Sequence, residues 1–155
     1  MIRRAEERDI PRLLALLSQV LTVHADLRPD LFIHGTRKYT DSELRIMLGD
    51  EKRPVFVQTD AEGFVQGYAF CVLEEVRGAN SQHDRKTLYV DDICVEESCR
   101  GQGVATELFS YVKDFARKEG CYHITLNVWA GNDAARAFYD AMGMKPMKTT
   151  METIL

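Results

Sequence analysis

A mixed α/β fold in a single domain is the class this sequence predicts, on three observations. An amphipathic helix near residues 103–118 lies between two strand-like runs, Leu88–Val95 and Tyr122–Trp129, which makes a crossover connection. Two more runs, Pro54–Thr59 and Phe64–Val76, flank the turn Asp60-Ala61-Glu62-Gly63 and read as an antiparallel hairpin. At 155 residues the chain has room for one domain, spanning 1–155, with one real core.

The elements follow in order. Ile2–Ala5 reads as a short strand. Asp9 is placed to cap a helix with Pro11 in its first turn, and the apolar stripe of that helix runs Ile10, Leu13, Leu14, Leu17, Val20, Leu21. His24–Lys38 is irregular and contains Arg28-Pro29-Asp30. Thr40-Asp41-Ser42-Glu43 is a capping box that starts a short helix ending near Gly49. Arg77–Lys86 is polar and loop-like. The crossover helix carries Val104, Leu108, Val112 and Phe115 on its core face and ends on Lys118-Glu119-Gly120, a basic last turn with a glycine cap. Asn132-Asp133 caps a last helix through Tyr139 to Met142, closed by Gly143, and Met147–Leu155 reads as a final strand. The predicted order is β-α-α-β-β-β-α-β-α-β, antiparallel in its first half.

Composition narrows the function classes. The chain is 45% hydrophobic and 28% charged, ordinary for a globular protein, and its net charge of -4 argues against a general nucleic-acid binder while favouring a cationic ligand. No apolar run approaches a membrane span, and the first residues lack the apolar stretch of a signal peptide, so a cytoplasmic location is expected, with neither nucleic acid nor membrane as partner. Cys71, Cys94, Cys99 and Cys121 lack metal-ligand spacing, as do His24, His34, His83 and His123. Free thiols and no metal are the expectation.

The most pointed stretch is Arg100-Gly101-Gln102-Gly103-Val104-Ala105, a glycine turn between a strand and a helix. Glycines at a helix mouth let unpaired N–H groups approach a ligand closely. The partial positive charge there suits a phosphate or diphosphate, hence a nucleotide-like cofactor. It is not the dinucleotide fingerprint, because the third glycine is missing.

Together these residues resemble the GNAT superfamily of acyl-CoA-dependent N-acetyltransferases. Arg100, Gly103 and Ala105 match its central signature of Arg or Gln, two residues, Gly, one residue, then Gly or Ala. Asn132, Tyr139 and Gly143-Met144 match its second signature, with Met144 where the family usually has Phe. Ile2-Arg3-Arg4-Ala5 and Asp9-Ile10-Pro11 resemble its first strand and helix. The likeness implies a central mixed sheet of six to seven strands flanked by about four helices.

It also implies transfer of an acetyl group from acetyl-CoA directly to a primary amine, a small cation or a peptide amine, in a possible homodimer. Under the resemblance the backbone of Gly101, Gln102, Gly103, Val104 and Ala105 holds the diphosphate. Gly103 is then the point of closest approach, where a Cβ would collide. Arg100 either contacts a phosphate or is a solvated loop charge. Asn132 caps its helix and holds the cofactor arm. Tyr139 is the acid that protonates the departing thiolate, the alternative being a Tyr that merely packs one turn from Ala135 and Met142. N–H groups of Ile93, Cys94 and Val95 polarise the thioester oxygen.

Asp91 and Asp92 stand on the central strand, where neighbouring residues face opposite ways. Asp91 resembles the family's anchor or base for the substrate amine, with Asp92 a lesser candidate. Either could instead pair with a Lys or Arg. Arg28 and Phe32, in the irregular segment, occupy the position of the acceptor wall. A non-catalytic acyl-CoA-binding sensor is the rival class, and the presence of both Tyr139 and an acid on the strand argues against it.

Overall fold

The computed structural model describes all 155 residues. Strand β1 (Ile2–Arg4) leads through a 3-10 turn, Glu7–Asp9, into helix α1 (Ile10–Leu27), followed by α2 (Asp41–Leu48). Strands β2 (Val55–Thr59), β3 (Val65–Val76) and β4 (Arg85–Val95) come next. A 3-10 turn, Glu97–Cys99, precedes α3 (Val104–Lys118), then β5 (His123–Leu126) and α4 (Asp133–Ala141). The five strands form one sheet in the order β1-β2-β3-β4-β5, antiparallel except for the parallel pair β4–β5.

Each face of the sheet has its own core, because strand side chains alternate. Val55, Val57, Tyr68 and Phe70 face α1 and α2, where they meet Leu13, Leu17, Leu44 and Met47. Phe56, Ala69, Leu88 and Val90 face α3 and meet Val112 and Ala116. Gly67 lets α3 sit low on the sheet: a Cβ there would lie 2.8 Å from the Cys94 carbonyl oxygen and 3.1 Å from Leu108.

Four expectations change. The sheet has five strands rather than six to seven, because Met147–Leu155 is not a strand here. Its backbone finds no partner, so no ladder forms. Strand β5 stops at Leu126 rather than Trp129. Helix α1 runs on to Leu27, because Leu21 and Ala25 continue its buried stripe. It stops just before Arg28, whose helical conformation the following Pro29 disfavours. Asp9 sits at the N-cap of α1, but its side chain makes no cap bond to that helix and accepts instead from the Glu6 N–H at the head of the preceding 3-10 turn.

Asp9 instead clamps the start of the fold. Its buried carboxylate accepts bonds from Arg3 Nη1 at 2.7 Å and Nη2 at 2.9 Å, and from the Glu6 backbone N–H at 2.8 Å. Burial alone would push its pKa up, but the Arg3 and Glu6 bonds outweigh it and hold the carboxyl below the usual range. A lowered folded pKa stabilises the fold above the ordinary Asp value of about 4, and that contribution fades as pH falls through the lower folded value. Arg3→Ala is therefore expected to cost about 2–3 kcal/mol at neutral pH, because it strands the carboxylate. The deficit should shrink below about pH 4. Urea melts across pH check this; equal midpoints for both proteins at pH 7 would contradict it.

Candidate active site

Strand β4 pairs with β5 only through Thr87–Val90, yet its pairing with β3 continues to Val95. From Asp91 onward, one edge of β4 is therefore open. The Glu96 N–H donates to the Gln66 carbonyl at 2.8 Å. By the alternation of an antiparallel ladder, the N–H groups of Ile93 and Val95 point away from β3 into that opening, while that of Cys94 is used by the ladder. Of the three amides expected to polarise a thioester, two face the opening, that of Ile93 lying also against the Asp92 carboxylate.

The chain past Val95 turns through Glu97–Cys99 and the glycine pair. Gly101 and Gly103 have φ of 76° and 84°, which disfavours any residue with a side chain. A Cβ at Gly103 would meet no protein atom within 4 Å, so its need for glycine lies in backbone conformation, and the space beyond is open for a ligand. No side chain caps α3, and the amides from Gly101 through its first turn have no acceptor in the chain. Arg100 Nε braces the Val95 carbonyl at 3.3 Å, and Gln102 Nε2 donates to the Ser98 carbonyl at 3.1 Å. The turn thus offers a set of unpaired donors at a helix N-terminus, the arrangement a diphosphate requires. Glu96 secures it from below through an ion pair with Arg12 and bonds from Gln19 Nε2 at 3.1 and 3.2 Å.

The aspartate pair departs from the expected alternation. The β3–β4 register passes from Cys71↔Val90 to Phe70↔Asp92, so Asp91 is an extra residue, a bulge. The bulge resets which residues face which side. Leu88 and Val90 face α3, and so do Ile93 and Val95, whereas Cys94 faces α1. Asp91 and Asp92 accordingly turn to the same face. Asp91 accepts from Tyr39 Oη at 2.6 Å and Lys38 Nζ at 2.8 Å. Asp92 accepts from Tyr68 Oη at 2.6 Å, and both tyrosines pack on Phe70.

Burial pushes the Asp92 carboxyl up to about 6. The neighbouring Asp91 adds to this, against the opposing pull of the Tyr68 bond and Lys38. Burial first, then the facing aspartate, raises the Tyr39 and Tyr68 phenols, so both remain donors.

Tyr139, on α4, lies near enough to Asp92 to feel its charge. It is 8% exposed, packed edge-on against Phe109, and its hydroxyl has no partner in the chain while retaining solvent access. Burial and the Asp92 charge raise its pKa and keep it protonated. Asn132 caps α4, its Oδ1 accepting the Ala135 N–H at 3.3 Å, which leaves its Nδ2 free.

Cys94 is buried with its thiol pushed up to about 12 by burial and by Asp92, so it is no nucleophile at neutral pH. All four cysteines are free, and no cluster of three His, Cys, Asp or Glu residues could hold a metal ion.

Of the two expected wall residues, Phe32 stacks edge-on with Trp129 at 5.4 Å and beside His24 at 5.4 Å, bridging α1 to the loop after β5. Arg28 does not reach the aspartates. It is spent on Asp30 at 2.9 and 2.7 Å and on Glu152 at 2.6 and 3.2 Å. Sequence reasoning missed Lys38, Tyr39 and Tyr68 as partners of the aspartates. The one signal was two adjacent acids on a buried strand, each of which needs a donor.

Comparison with known proteins agrees with the geometry. Residues 20–144 match the model of the acetyltransferase (GNAT) family. A mutant of the BH1408 protein from Bacillus halodurans has a similar structure, with a TM-score of 0.96 and 30% identity over 100% of this chain and 99% of that one. N-alpha-acetyltransferase 30 of Schizosaccharomyces pombe is 30% identical over 57% of this chain and 55% of its own length. Thialysine N-epsilon-acetyltransferase of Bos taurus is 31% identical over 40% of this chain and 36% of its own. The chain thus spans about half or less of the length of these two relatives. No helix is long and apolar enough to cross a membrane. With its family signatures on an open strand edge, a glycine turn and a capped helix, and with a family match over most of its length, the chain belongs to the acetyltransferase (GNAT) family.

Proposed function

We propose that this chain transfers an acetyl group from acetyl-CoA to the primary amine of a small cation. The observation that carries the reading is the pair Asp91 and Asp92 on the half of β4 that β5 leaves unpaired, with Tyr139 near enough to Asp92 to feel its charge and the unpaired amides of the glycine turn following on from the same strand. The co-substrate supplies an activated acetyl thioester. The amides of Gly101–Ala105 hold its diphosphate, and the Asn132 Nδ2 and the Arg100 Nη groups, which have no partner in the chain, are further donors for the cofactor. The N–H groups of Ile93 and Val95 stabilise negative charge as it develops on the thioester oxygen.

An alkylamine arrives as an ammonium ion and must lose a proton before it can attack. Asp92 is suited to accept that proton, because its pKa of about 6 leaves it ionised yet basic near neutrality. Asp91 anchors the cation. The carboxylate already holds the Lys38 ammonium at 2.8 Å, the Lys pairing the sequence left open for it, and a substrate ammonium would take that place. Tyr139 then donates its proton to the departing sulfur, and its raised pKa keeps the proton available until charge develops there. Of the two roles the sequence leaves open for Asp91, base or anchor, it thereby keeps the anchor, and Asp92, the lesser candidate, takes the base. A peptide amine is the second reading, favoured by the likeness to an N-alpha-acetyltransferase over 57% of the chain. A panel of polyamines, amino acids, aminoglycosides and peptides, read by released thiol, separates the two.

Three outcomes follow. Asp92→Asn should lower kcat/KM by about 10²- to 10⁴-fold and abolish its rise with pH through about 6, as seen in rate profiles; a profile identical to the parent's would remove Asp92 from proton transfer. Tyr139→Phe should lower kcat by about 10²-fold or more and leave acetyl-CoA affinity unchanged by calorimetry. Equal turnover would assign Tyr139 to core structure alone. Gly103→Val should abolish acetyl-CoA binding and, because a β-branched residue is strained at positive φ, also lower the thermal midpoint of the unliganded protein; an unaltered dissociation constant would contradict the cradle.

A further inference from the structure

One of the chain's own amines already stands in the candidate site. Lys86 Nζ donates to the Glu119 carbonyl and Lys113 Nζ to the Met142 carbonyl. Lys38 Nζ donates instead to Asp91 Oδ1 at 2.8 Å, the place assigned above to a substrate ammonium. Its charge also reaches the proposed base, where it works against the rise in the Asp92 pKa, and it lowers the pKa of the nearby His24. The Lys38 nitrogen thus lies beside the anchor and within the field of the base.

The surrounding chain fixes its backbone there. Tyr39 Oη donates to the other oxygen of Asp91 at 2.6 Å, and its ring packs on Phe70. Thr40 caps α2 through reciprocal bonds with Glu43. Residue 38 is therefore held just ahead of a capped helix, while its side chain is 45% exposed and can swing on its four-carbon stem. Such a partly exposed pair contributes little to stability, and an arginine would grip a carboxylate better with two prongs. A lysine differs in carrying a nitrogen that becomes nucleophilic once it loses a proton. Two residues of strand, about 7 Å, separate Asp91 from Ile93, whose N–H faces the thioester oxygen in the proposed reaction. A swing of the Lys38 stem covers that span.

We propose that Lys38 is an internal acceptor: with no amine substrate present, the chain transfers the acetyl group of acetyl-CoA to its own Lys38 Nζ. The inference rests on the acetyl transfer proposed for this site. The Lys38 ammonium gives one proton to Asp92, and the neutral nitrogen attacks the thioester carbon. A C–N bond forms and the C–S bond breaks. Tyr139 protonates the departing sulfur and regains a proton, by way of water, from the new amide nitrogen, while the proton on Asp92 passes to solvent. Ammonium and thioester become an amide, a thiol and one released proton. Tethering replaces affinity, since the nitrogen is delivered without a binding step. The amide carries no charge, so it leaves Asp91, and the anchor is cleared for an incoming ammonium.

Incubating the full chain with acetyl-CoA that carries a carbon-13 acetyl group, without any amine, and mapping the label by peptide mass spectrometry tests it. Label should accumulate at Lys38 and not at the exposed Lys118 and Lys148. Its first-order rate constant should hold over about a tenfold dilution of the protein, as a tethered reaction requires. Asp92→Asn and Tyr139→Phe should each slow it by about 10²-fold or more while still binding acetyl-CoA by calorimetry. Lys38→Arg should take up no label. Unlabelled acetyl already on Lys38 of the purified parent, and missing from Asp92→Asn, counts equally in favour. Label spread evenly over exposed lysines, a rate constant that grows with protein concentration, or labelling undiminished by either substitution overturns the proposal. An unmodified Lys38 in protein that releases thiol to an added amine also overturns it and leaves the transfer reading standing. An unmodified Lys38 with no thiol released to any amine of the panel overturns both.

Discussion

Between Val90 and Asp92, strand β4 carries one residue more than β3 can pair, and the site depends on that surplus. Without it, Asp92 would share the α3 side with Leu88 and Val90, as every second residue does. With it, both aspartates face Tyr39, Tyr68 and Phe70. Two adjacent carboxylates on one face of a buried strand are expensive, and the cost is distributed unequally. Asp91 is compensated by an ammonium and a phenol in direct contact, and Asp92 by the Tyr68 phenol, with Lys38 and the Ile93 N–H as weaker support. The less compensated group is the one whose basicity rises.

The same strand supplies the second requirement. Because β5 ends at Leu126, the far half of β4 loses its parallel neighbour and exposes amide donors at Ile93 and Val95. The turn at Gly101–Gly103 continues this row of donors around the mouth of α3, so donors meet carboxylates along one open edge. Anion-binding groups at one end and cation-binding groups at the other make a polarised cleft. That polarity suits a reaction joining an anionic carrier to a cationic acceptor.

Much of this was legible beforehand, and the misses share a cause. The glycine turn, the Asn132 cap and the stripe of α3 are local features, set by residues a few positions apart. The bulge was not legible, since whether β4 holds an extra residue depends on its partner strand, and Asp91-Asp92 reads as ordinary alternation in isolation. Tyr68 and Tyr39 carry no local signal of their part for the same reason: each acquires its role from a contact across the fold. Asp9 was read as a cap, but Arg3 competes for it from the neighbouring strand with a two-pronged, charge-assisted bond. The Met147–Leu155 pattern is that of a strand, but pattern alone does not say which edge receives it.

The central claim is that the bulge buries Asp92 in a setting that makes it a base. The most direct measurement is a carbon-13 NMR titration of the carboxyl groups of aspartate-labelled protein, with the Asp92 signal assigned by its absence in Asp92→Asn. The account requires that signal to titrate at about 6. A midpoint near the ordinary Asp value of about 4 would contradict it.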